Sequence, residues 1–185
     1  NAGNQTINIS GLYSDQQGYD ILVNKGTATI NKANLKITST SVHKVYDGTT
    51  DAKGTAKLTG GTQLFGSDTI SGGTFVFDGK NASMEKVVYV SGVDINDGNG
   101  GNNYNVSYVQ NSFSSIERAL LTITATAATK VYDGSLRIDD KPIVTGRARG
   151  DSISGLSQSF ADKNAGTGKA VVVGNGFVIR DGNGG

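Results

Sequence analysis

A chain of 185 residues with 27 Gly, one Pro, one His and no Cys or Trp excludes thiol catalysis, disulfide staples, Cys-ligated zinc and any mechanism needing two imidazoles. Its 17 basic and 16 acidic side chains leave a formal charge of +1, too little to steer nucleic acid or an anionic membrane, so neither is expected as a partner. All but two of the acidic residues are Asp, and with Asn, Gly, Ser and Thr they favour turns over helices because their side chains bond nearby backbone groups. In chain order, apolar–polar alternation predicts strands at 35–38, 44–46, 56–58, 69–77, 85–95, 104–109, 113–116 and 121–125, each bounded by Gly, Asn or Asp. Only 81–86 reads as a helical turn. Short strands with frequent turns and no helical crossover predict an all-β, antiparallel, Ig-like β-sandwich; the alternative is a β-grasp-like sheet keeping that one helical turn. No apolar run approaches the about 20 residues of a spanning helix, so membrane insertion of this segment is not expected. The opening Asn1-Ala2-Gly3-Asn4 has no leader pattern and reads as part of a longer chain.

The sequence repeats itself. Lys44-Val45-Tyr46-Asp47-Gly48-Thr49 recurs as Lys130-Val131-Tyr132-Asp133-Gly134-Ser135, and the flanking Leu35-Lys36-Ile37-Thr38 recurs at the same spacing as Leu121-Thr122-Ile123-Thr124. Further on, Asp68-Thr69-Ile70 matches Asp151-Ser152-Ile153, Phe77 matches Phe160, Asn81 matches Asn164, and Asp97-Gly98-Asn99-Gly100-Gly101 matches Asp181-Gly182-Asn183-Gly184-Gly185, with small loop indels absorbing the drift. Tandem modules follow: 1–34 as the last strands of a preceding module (Tyr19-Asp20-Ile21 against Tyr104-Asn105-Val106), 35–120 as a complete module, and 121–185 as a second, cut before its last strands. The segment equivalent to those strands, 5–30, is expected to complete module two of another molecule by head-to-tail self-association.

The hexapeptide opening a Gly- and Thr-rich β module resembles the YDG repeat of large Gram-negative exoproteins of the filamentous-haemagglutinin type. A second stretch, Phe160-Ala161-Asp162-Lys163-Asn164-Ala165-Gly166-Thr167-Gly168-Lys169, resembles that family as well, whereas Phe77 to Lys86 keeps the Phe and Asn but lacks the Gly-Thr-Gly. The resemblance implies a secreted or outer-membrane-surface adhesin exported by two-partner secretion, a virulence factor whose partners are host cell-surface protein or glycan and neighbouring modules of the same chain. The role expected of this segment is a structural stalk or spacer; the alternative is a receptor-binding module.

The residues themselves offer few sites. Tyr46-Asp47-Gly48 and Tyr132-Asp133-Gly134 read as structural turns, with the Tyr ring against the core, its hydroxyl at the rim, and Gly at positive φ. Arg149-Gly150-Asp151 has the pattern integrins recognise, though Phe65-Gly66-Ser67-Asp68 occupies the equivalent place in module one. Asp94, Asn96, Asp97 and Asn99 crowd oxygen atoms into a Gly-rich loop that would suit calcium, but the spacing is not that of an EF-hand, and no cofactor is expected. Asn-x-Ser/Thr acceptors occur at Asn4, Asn8, Asn81 and Asn105. His43 has no repeat counterpart, and Asp139 and Asp140 are sequence neighbours that would point to opposite faces of a strand, so no catalytic set forms and an enzyme is not expected.

Overall fold

The structure, a computed structural model, describes residues 1–11 and 21–184. Tyr19 and Asp20, on which part of the match to a preceding module rests, lie outside them. All regular structure among the described residues is β: β1 (Gly3–Ile7), β2 (Gly26–Ile30), β3 (Ala33–Ser39), β4 (His43–Val45), β5 (Ala56–Leu58), β6 (Thr69–Phe77), β7 (Ser83–Asn96), β8 (Tyr104–Tyr108), β9 (Asn111–Glu117), β10 (Thr122–Thr124), β11 (Ile143–Thr145), β12 (Ser152–Ser154), β13 (Gln158–Phe160), β14 (Val171–Val173) and β15 (Val178–Arg180). The helical turn expected at 81–86 is absent. Ser83 opens a strand there, its hydroxyl accepting the Glu85 N–H, and the alternating valines that follow carry the strand onward.

The first repeat forms a three-stranded sheet, β5-β3-β8, and a four-stranded one, β4-β9-β7-β6. The all-β expectation holds, but the purely antiparallel one does not. β3 pairs β8 in parallel, Leu35 opposite Val106, and β4 pairs β9 in parallel, His43 opposite Ser115. Parallel neighbours need a long crossover; here strands supply it in place of the helix that is usual. The second repeat reproduces part of this plan with shorter pieces: β10 pairs β11 as β3 pairs β5, and β12–β15 with β13–β14 cover the ground of β6 and β7.

The chain resolves into two compact units. Unit 1 comprises Asn1–Ser41, Ala52–Val76 and Val88–Asn111; unit 2 comprises Val42–Asp51, Phe77–Val87 and Ser112–Gly185. Unit 1 is built on Leu35 and Ile37, both 0% exposed, which alternate inward from β3 against Val90 and Val93 of β7 and Tyr104 of β8. In unit 2, Phe77, Ile116 and Val42 are buried, together with the polar Ser114, Ser115, Gln158 and Asp151. Unit 2 therefore contains the first repeat's Tyr-Asp-Gly turn alongside the second repeat.

Candidate functional site

The repeated hexapeptide forms the same lock in both modules. Lys44 Nζ reaches Asp47 Oδ1 at 2.8 Å, the Thr49 carbonyl at 3.0 Å and the Thr49 hydroxyl at 3.1 Å; Lys130 Nζ reaches Asp133 Oδ1 at 2.7 Å and the Ser135 carbonyl and hydroxyl at 2.8 and 2.9 Å. Each Asp also accepts the N–H two residues on, Thr49 or Ser135, across a glycine at φ 80° or 74°. The ammonium sits over an aromatic ring, Phe77 at 5.4 Å for Lys44 and Phe160 at 5.8 Å for Lys130. The repeated Lys, Asp, Gly, Thr/Ser and Phe thus have one physical explanation. Sequence reasoning found the Asp-Gly turn and missed the lysine at its centre; its recurrence with Phe77 and Phe160 was the available signal.

The ion pair and the Ser135 donors hold the Asp133 carboxyl at about 2, below its ordinary 3.8. Burial opposes ionisation of Asp47, but Lys44 and Thr49 outweigh it and the net shift is again downward. A carboxyl depressed on folding stabilises the fold above its unfolded value; that contribution declines as pH falls below about 4 and is gone below about 2. A carboxyl-carbon NMR titration is expected to show Asp133 titrating near pH 2; a midpoint near 3.8 would deny the lock.

The Gly-rich loop after β7 is closed by Asp97. Its Oδ1 accepts the Asn99 and Gly101 N–H groups, each at 2.8 Å, and its Oδ2 accepts Asn103 N–H at 3.0 Å. Burial raises the carboxyl and these three donors outweigh it, so the net shift is downward. Asp181 takes the Asn183 N–H in the same way at 2.7 Å. The carboxylate of Asp97 is thus engaged in holding its own loop, and no group of three or more His, Cys, Asp or Glu placed to hold a metal occurs among the described residues. His43 Nδ1 lies 2.8 Å from Ser115 Oγ, and Asp139 pairs with exposed Arg137. Of the Asn-x-Ser/Thr acceptors, Asn4 and Asn105 meet neighbours Thr29 and Asn34, Asn8 is exposed and Asn81 half-buried.

A second polar cluster in unit 2 brings residues of the two repeats together. Asp151 is 7% exposed. Tyr46 donates its hydroxyl to Asp151 Oδ1 at 3.1 Å, Lys80 Nζ lies 3.7 Å from the same oxygen and donates to the Tyr46 oxygen at 3.4 Å, and Arg147 donates to the Asp151 carbonyl. The Asp181 carbonyl lies 3.5 Å from the Tyr46 hydroxyl. Burial, then the bond to Asp151, raises the Tyr46 phenol, which therefore stays protonated as a donor at neutral pH. A cleft of about 240 Å³ runs beside this cluster, lined in part by Asn81, Arg118, Arg147 and Ile153. At Gly48, φ 80°, an added Cβ would overlap the Arg149 carbonyl oxygen. The Tyr46 and Tyr132 rings were expected against the core with their hydroxyls at the rim; Tyr46 is half-buried with its hydroxyl on Asp151 of the second repeat, and Tyr132 is 62% exposed. The Arg149-Gly150-Asp151 turn keeps Arg149 exposed and turns the Asp151 carboxylate inward.

The YDG domain family matches residues 30–112 and 117–185. No curated protein and no solved structure compared with the chain matches it.

Proposed function

Because the chain belongs to the YDG-domain family, which covers it as two successive copies, we propose that it is a non-enzymatic stalk segment of a large secreted or surface-exposed bacterial adhesin of the filamentous-haemagglutinin type. Adhesion to a host protein or glycan then belongs to other parts of the parent, and this segment holds that part at a distance. One observation carries the reading: the residues that recur in both repeats build turns and a joint, and the acidic residue of the sharpest receptor motif, Asp151, is used in that joint. A spacer needs its modules fixed on one another, because a freely jointed string collapses toward random-coil dimensions. The receptor reading through Arg149-Gly150-Asp151 would require this carboxylate to leave Tyr46 and Lys80, exchanging a buried charge-assisted contact for a ligand.

The test is binding of the purified 185-residue chain, as a labelled multimer, to cultured host cells beside an Arg149→Ala variant. Arg149 is exposed, so the variant removes the receptor arginine and leaves the joint intact. No saturable binding is expected of either protein at micromolar multimer. Saturable binding lost on Arg149→Ala would instead make the segment receptor-binding.

A further inference from the structure

We propose that the Tyr132–Lys163 face of the second repeat is the seat for another YDG module, which it would grip by the Gly-Asp loop that begins that module's long hairpin. The inference rests on the stalk reading and goes beyond it by naming the surface and its occupant. In the occupied junction, the first repeat contributes Tyr46, Lys80, Asn81 and Ala82, and the second presents Asp151 at the end of a turn. The sequence correspondence of the repeats carries those four positions onto Tyr132, Lys163, Asn164 and Ala165. The local fold is carried over too, since Lys130, Asp133 and Ser135 form the same lock as Lys44, Asp47 and Thr49.

What differs is cover. Tyr46, Lys80, Asn81 and Ala82 are all half-buried, whereas Tyr132 is 62% exposed and Lys163, Asn164 and Ala165 are exposed. A cleft of about 490 Å³ opens beside Tyr132, bordered by Phe160, Lys163 and Asn164. A phenol hydroxyl and an ammonium at its edge call for an anionic acceptor. The complement exists on this same chain. Asp68, at the position of Asp151, is half-buried at the end of the Phe65-Gly66-Ser67 turn; one oxygen takes the Tyr104 hydroxyl at 2.5 Å, and an ionised carboxylate has lone pairs left for a second donor. Gly66 replaces Arg149, and a Cβ there would meet nothing within 4 Å, so the turn is open for the approach of a Gly134-type backbone. In solution the occupant is a second copy, docked head to tail through Tyr132 and Asp68.

The experiment is a ¹⁵N NMR titration of labelled chain with unlabelled chain up to about 1 mM, the effective concentration a short linker supplies between neighbouring modules. Concentration-dependent shifts are expected at two places together: Tyr132, Asp133, Lys163 and Asn164, and Ser67, Asp68 and Thr69. Lys163→Glu, at an exposed position, is expected to weaken the association about tenfold or more while leaving the Tyr46 and Asp151 signals unmoved. Tyr132→Phe, which deletes only a hydroxyl, is expected to weaken it less. Absence of shifts at about 1 mM, or shifts that Lys163→Glu leaves unchanged, would overturn the seat. Shifts confined to β2 and the edge of β10 would overturn it in favour of strand exchange through residues 5–30. None of these outcomes touches the Tyr46–Asp151 joint inside one chain, so the seat can fail while the stalk stands.

Discussion

Leu35→Ala is expected to lower the unfolding free energy of unit 1 by about 3–5 kcal/mol, the upper part of the range for a buried Leu→Ala change. Leu35 is fully buried in the central strand of its sheet, with β5 hydrogen-bonded on one side and β8 on the other, so the backbone around the deleted methyl groups is tied on both edges. Such a site collapses poorly, and a residual cavity remains to be added to the lost transfer energy. Leu121, its counterpart in the second repeat, is only half-buried beside a three-residue strand with one partner, and Leu121→Ala is expected to cost about 1–2 kcal/mol. Urea unfolding of the two variants, followed by amide exchange in each unit, checks the pair. Equal losses would mean that the first repeat's sandwich does not depend on the core described.

The second large effect is expected at Gly48. Alanine at φ 80° carries the left-handed penalty of about 1–2 kcal/mol. Its methyl group would also overlap the Arg149 carbonyl, backbone that cannot swing aside as a flexible side chain would, adding about 1–3 kcal/mol as overpacking does. Gly134 is at φ 74° with nothing within 4 Å of the Cβ position, so Gly134→Ala is expected to show the conformational part alone. The two glycines hold the same place in the same motif, and the difference between the two variants isolates what the joint adds. Thermal unfolding of unit 2 with each substitution measures it. A Gly48→Ala loss no larger than that of Gly134→Ala would mean that the two turns are equally free.

Much of this fold was legible in the sequence. Alternation placed the strands predicted over 35–125 to within two residues, because Leu35-Lys36-Ile37 and Val88-Tyr89-Val90 put apolar side chains on one face at a period of two, whereas β1, β2 and the short strands β11, β12, β13 and β15 were not predicted. Positive φ at Gly48 and Gly134 followed from Asp-Gly turn chemistry. The parallel pairings of β3 with β8 and β4 with β9 were not legible, because strand direction is set by which distant edge is free and not by the composition of either strand. The segment 81–86 was misread as a helical turn, since its Ala-Ser-Met-Glu-Lys composition suits a helix and only the ladder beside it decides for a strand. The joint was least legible. Tyr46 and Asp151 stand 105 residues apart, and each has a sufficient local reading, a strand-end ring and a loop-tip acid, until the two are placed together. Their recurrence pointed to structure without saying that one repeat's tyrosine serves the next repeat's aspartate.

Within unit 2, the first repeat's Val42–Asp51 and Phe77–Val87 are held to the second repeat through Tyr46, Lys80 and Asp151. Residual dipolar couplings test it directly, measured separately for the first repeat's Val42–Asp51 and Phe77–Val87 and for strands β10 to β15 of the second. One alignment tensor is expected to fit both sets in the wild-type chain. In Asp151→Ala, where the Tyr46 hydroxyl and the Lys80 ammonium lose their shared acceptor, two different tensors are expected. Two independent tensors in the wild-type chain would contradict the joint, and with it the stalk.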